Sequence, residues 1–136
     1  MENMNLKIGL SSSVDIKVSQ EHTASHVGSG VIMVLATPVL VNFFETAALG
    51  AVEAYLEEGY QTVGTRLHIS HFKATPVGMR VRAKADLLEV VDRRLVFHLS
   101  AEDEVEKIGE GIHERIIVNV HRFDERVQEK VRRIIK

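Results

Sequence analysis

Hydrophobic and polar residues along this chain change period twice, and those changes delimit the expected elements. Val14, Ile16 and Val18 alternate with polar neighbours, which predicts a first strand over residues 11–17. A polar stretch with Gly28 and Gly30 near its end reads as a loop over residues 19–30. Residues 31–36 form a short apolar run, expected to be extended.

Apolar residues then crowd together. Val39, Leu40, Val41, Phe43, Phe44, Ala47, Ala48, Leu49, Ala51 and Val52 cover nearly every side of a helix expected over residues 38–58. A helix apolar all round is wrapped by other structure. Pro38 suits the first helical turn, Thr37 reads as its N-cap, and Gly59 is a stop signal.

After Gly59 the period becomes two. Val63, Thr65, Leu67, Ile69 and His71 share one face of a strand over residues 62–72. Met79, Val81, Ala83, Ala85 and Leu87 do so over 79–88, and Leu95, Phe97, Leu99 and Ala101 over 95–102. Ile116, Val118 and Val120 repeat the pattern over 112–121. Short polar turns such as Val91-Asp92-Arg93 make this an antiparallel meander with one buried face. Asp124 reads as the cap of a short C-terminal helix over about residues 124–136. One sheet covering one helix is an α+β layer, the layout of a hotdog fold: a curled antiparallel sheet around one long central helix, here a single domain over residues 1–136. A sheet with open edges also predicts pairing between two copies.

Composition removes several function classes. The chain has no cysteine, which excludes thiol nucleophiles and disulfide scaffolds. A net charge of -2 offers no basic excess for nucleic acid. Pro38, Asn42, Glu45 and Glu53 interrupt the apolar stretch, so a membrane span is not expected. Residues 1–20 carry no export signal, and a cytoplasmic protein is expected.

Three polar residues break local burial patterns. Glu45 lies mid-helix, where a charge is costly. It reads either as a carboxylate reaching a solvated seam or as a general base or nucleophile. His71 stands on the apolar parity of its strand, either as a satisfied core histidine or as a partner for that carboxylate. Thr37 is explained as a cap, yet it also marks a helix N-terminus whose free N–H groups, from Val39 onward, suit an oxyanion. Gly64 within a strand suggests a bulge or a close approach to a ligand. Arg115 has the parity opposite to Ile112 and Ile116, which reads as an outward charge. His68 and His71 point to opposite faces, so no metal site is expected.

In order, Ala36-Thr37-Pro38, Phe44-Glu45, Val63-Gly64-Thr65, the run from His71 through Lys73-Ala74-Thr75-Pro76 to Gly78, and Gly109-Glu110-Gly111-Ile112-His113-Glu114-Arg115 resemble the fluoroacetyl-CoA thioesterase-like branch of hotdog thioesterases. The resemblance runs over residues 34–123. It implies a catalytic group of Thr37, Glu45 and His71, with Gly64 near the acyl group and Arg115 in support. It further implies an acyl-CoA substrate, a homodimer or larger homo-oligomer, and no cofactor beyond the CoA of the substrate. Val31 and Phe44 are expected to line the acyl cavity, and Lys73, Arg80 and Arg82 are candidates for the CoA phosphates. The segment over residues 21–30 has no Phe to form the aromatic lid of the fluoroacetate-specific enzyme, so the acyl group is left open. Rival readings are a non-catalytic hotdog module that binds acyl-CoA or a small carboxylic acid, and a hotdog dehydratase or hydratase.

Overall fold

A computed structural model describes residues 5–135. Residues 1–4, within the stretch read for export signals, and residue 136, the end of the expected C-terminal helix, lie outside the described residues. Five strands form one antiparallel sheet: β1 (Ser11–Lys17), β2 (Tyr60–His71), β3 (Arg80–Val91), β4 (Arg94–Asp103) and β5 (Lys107–Asn119), in the order β1-β3-β4-β5-β2. A one-turn helix, α1 (Ala24–Val27), follows β1; the central helix is α2 (Thr37–Val52), and α3 (Val120–Ile135) ends the chain. This is the hotdog architecture.

Helix α2 buries Leu40, Phe43, Phe44, Ala47, Ala48, Ala51 and Val52. That spacing of three and four is a single stripe. The helix is therefore not wrapped on all sides: Val41, Glu45 and Leu49 stay half-exposed on its flank. Its backbone lies closest to β1 and β3 and farther from β2. Helix α2 ends at Val52, with the Glu53 amide donating the last i→i−4 bond to the Leu49 carbonyl, and one 3-10 turn (Glu53–Tyr55) carries the chain toward Gly59, whose φ of 88° turns it into β2.

Strands β2 and β5 depart from the faces expected of them. In β2, Gly64 pairs with Arg115 and Arg66 with Glu114, so Thr65 is an extra, bulged residue. The bulge reverses parity: Thr62 is buried and Val63 only half-buried, while beyond it Leu67, Ile69 and His71 turn inward. Strand β5 begins at Lys107, and its inward residues are His113, Arg115 and Ile117. The expected inward face of Ile112 and Ile116 is thus inverted: Ile112 is exposed and Arg115 is 6% exposed. Only register across the sheet fixes this, since Arg115 pairs with the inward Leu95, and His113 with the inward Phe97.

The C-terminal helix also begins earlier than expected. Asn119 Oδ1 accepts from the Arg122 amide at 3.0 Å, so Asn119, not Asp124, caps α3. No described residue of α3 is buried. Among the described residues no helix is long and apolar enough to cross a membrane.

Candidate active site

The sequence placed the α2 cap at Thr37, but the structure places it one residue earlier. Ala36 is extended, with φ -74° and ψ 141°, and its carbonyl accepts from the Leu40 amide at 3.0 Å. Thr37 therefore occupies the first helical position, and its hydroxyl is released from capping. It meets His71 instead, with Oγ1 2.8 Å from Nδ1 across 34 residues of chain. Burial lowers the His71 pKa from its ordinary 6.5, and the Lys73 backbone opposes this. The pair thus favours a neutral imidazole that can accept a proton. His71 Nε2 is buried without a well-formed hydrogen bond among the described residues.

The backbone at this point is equally specific. The Val39 and Leu40 amides both donate to the Ala36 carbonyl, and Pro38 has no N–H. Among the described residues the Thr37 amide has no hydrogen-bond acceptor. The donor available at this helix N-terminus is Thr37 N–H, not the expected Val39 N–H. Thr37 and His71 border a cleft of ≈ 360 Å³ whose other walls include Gly30, Val31, Ile32, Leu35, Phe72 and Lys73. Val31 projects at its edge, 86% exposed. Phe44 lies elsewhere, fully buried in the core. Lys73 is at the cleft, whereas Arg82 is held by Asp15 at 2.7 Å on the outer face of the sheet.

Glu45 belongs to a second cluster. Eight residues of helix separate it from Thr37, about 12 Å along the axis. Its Oε2 faces the guanidinium of Arg115 at 3.7 Å. Arg115 is anchored from behind: Nε donates to Thr62 Oγ1 at 2.9 Å and Nη2 to the Thr62 carbonyl at 3.0 Å. Burial lowers the Arg115 pKa, and Glu45 opposes this. Gly64 lies over the same spot. A Cβ there would sit 2.9 Å from Glu45 Oε2, 3.2 Å from His113 Cε1 and 3.5 Å from Arg115 Nη1, so only glycine leaves room for the carboxylate.

The structure thus joins Thr37 to His71, and Glu45 to Gly64 and Arg115, as two groups within one chain. His71 does not pair with the Glu45 of its own chain. His113 and Thr62 escaped the sequence reading because the Thr65 bulge and the inverted β5 face are invisible to a period-two count. No three His, Asp or Glu side chains cluster as a metal would require among the described residues.

A curled five-stranded sheet on a central helix, with a Thr–His pair at the helix N-terminus, defines a hotdog protein of the thioesterase type. Residues 18–121 match the family described as fluoroacetyl-CoA-specific thioesterase (FlK), and the chain belongs to that family. The fluoroacetyl-CoA thioesterase of Streptantibioticus cattleyicolor is 39% identical over 97 residues, 71% of this chain and 70% of that protein. A solved structure of the fluoroacetyl-CoA thioesterase FlK superposes with a TM-score of 0.87 at 32% identity, covering 93% of this chain and 98% of that one. A thioesterase-superfamily member from Thermus thermophilus, 24% identical, shares the fold with a TM-score of 0.89 over 98% of this chain and 97% of its own.

Proposed function

We propose that the protein hydrolyses an acyl-CoA thioester as a homodimer, with Thr37 and His71 from one chain completed by Glu45 of the other. The observation that carries this reading is the Thr37–His71 hydrogen bond beside the unengaged Thr37 amide, at a cleft in a chain of this family. The thioester carbonyl accepts from Thr37 N–H, where negative charge develops as the carbonyl is attacked. The Glu45 carboxylate takes a proton from water that attacks that carbon, or attacks it directly. Collapse of the tetrahedral intermediate breaks the C–S bond, and CoA leaves as the thiolate and takes up a proton. In the direct case water then cleaves the acyl–Glu45 anhydride. His71 and the Thr37 hydroxyl orient the carbonyl and that carboxylate.

A partner chain is required because one helix cannot bring Thr37 and Glu45 together. The β2 edge offers the route. It is 12 residues long, with one side paired to β5 and the other a sheet edge. Antiparallel pairing of two β2 strands centred between Leu67 and His68 sets His71 of one opposite Gly64 of the other, where Glu45 lies. The acyl group is small or medium, bounded by the aliphatic Val31 and Ile32.

The absence of cysteine makes the test direct, since a thiol-reactive dye reports only released CoA. Turnover is expected on short and medium acyl-CoAs, and Glu45→Gln lowers kcat by about 10²–10⁴-fold. Thermal stabilisation by acyl-CoA with no CoA release would return the protein to the class of binding modules.

A further inference from the structure

His113 is an unused imidazole in the middle of the sheet's inner face. It is 2% exposed, sits beside the Phe97 ring with centroids 6.3 Å apart, and is the only titratable group in direct hydrogen-bonding reach of the Arg115 guanidinium among the described residues. Its two nitrogens meet opposite partners. Nδ1 is 2.8 Å from the Arg66 carbonyl, and Nε2 is 3.2 Å from Arg115 Nη1.

These contacts settle the proton. A guanidinium has only hydrogens to offer, so Nε2 accepts from Arg115. A carbonyl has only lone pairs, so Nδ1 carries the hydrogen and donates to Arg66. The imidazole is thus neutral, in the Nδ1–H form. The bulge at Thr65 makes this possible, because it sets Arg66 opposite Glu114 while Leu67 pairs with His113. Arg115 is consequently held on both flanks, by Thr62 through Nε and Nη2 and by His113 through Nη1. Nη1 is also the guanidinium atom that lies 3.7 Å from Glu45 Oε2.

We propose that His113 is a positioning residue: its Nε2 lone pair fixes the rotation of Arg115 and so aims the guanidinium at the Glu45 carboxylate. The role rests on the hydrolytic reading above, in which Glu45 acts at the thioester. It explains why a buried imidazole is set against a cation with its lone pair forward. Burial comes first in holding its pKa below 6.5, with Arg115 acting in the same direction and the Arg66 carbonyl, Glu45 and Glu114 against it.

Three substitutions in the full chain separate positioning from packing. His113→Gln can return an acceptor near the Nε2 position, His113→Asn keeps a donor near the Nδ1 position, and His113→Leu keeps neither. The expected kcat falls about threefold for His113→Gln and about ten- to a hundredfold for the other two, with KM little changed. Imidazole ¹⁵N spectra of the native protein are expected to show His113 as the neutral Nδ1–H form. A kcat that tracks melting temperature across the three variants, or His113→Asn at least as active as His113→Gln, overturns the role. An Nε2–H imidazole in an active native enzyme overturns it alone. Native protein with no turnover removes the hydrolytic reading and this role together.

Discussion

At the scale of single residues, burial bears on two imidazoles, His71 of the candidate site and His113 beside Arg115. The folded pKa of His71 and of His113 lies below the ordinary 6.5. The unfolded chain therefore binds protons first as pH falls, and stability drops with it. Both contributions are complete above about pH 6.5 and are lost progressively toward the lower folded values. Melting temperature is expected to be flat from about pH 8 to 7 and to fall toward pH 5. A pH-independent melting curve over that span would contradict the burial of both rings. The acid limb of kcat/KM is expected below the ordinary histidine value for the same reason. Of these residues, Thr37, Glu45 and His71 stood out in the sequence because each broke a burial pattern. His113 did not, since a histidine between Ile112 and Glu114 on a strand counted as outward breaks nothing.

At the scale of elements, β2 and β5 decide the site through two glycines with different tasks. A side chain at Gly64 meets mainly the end of the Glu45 side chain, which is flexible. Gly64→Ala is expected to change stability by less than about 1 kcal/mol but to lower kcat by about a hundredfold, by moving the carboxylate. Gly111 is different: an added Cβ would collide with the His68 carbonyl and lie 2.8 Å from Ile69 Cα, both backbone atoms that cannot step aside. Gly111→Ala is expected to destabilise the fold by about 1–3 kcal/mol, read as a lower denaturation midpoint. Equal effects of the two substitutions on stability and on kcat would refute this division. The alternation of β3 and β4 was legible because their inward residues are nearly all apolar. The inner face of β5 was not, because it carries His113 and Arg115 while Ile112 lies outside.

At the scale of the whole molecule, the proposed dimer divides each site between two chains. Thr37→Ala and Glu45→Gln dimers are each expected to be nearly inactive. Unfolded together and refolded, they should regain about a quarter of native activity, since half the dimers are mixed and each mixed dimer holds one intact site. No recovery after mixing, with mixed dimers verified by mass, would place Thr37 and Glu45 in the same chain's site. The chain order of the five strands, the central helix and the C-terminal helix was determined by the sequence alone, which also marked Thr37, Glu45 and His71 as breaks in burial pattern, because periodicity and its violations are local properties; the one-turn α1, read as loop, was not. Tertiary structure alone decided that Thr37 bonds to His71 rather than capping its helix, and that Arg115 and His113 point inward. Each of these depends on strand register, a bulge or the meeting of separate elements. They relate residues distant in the chain, so no local pattern can encode them.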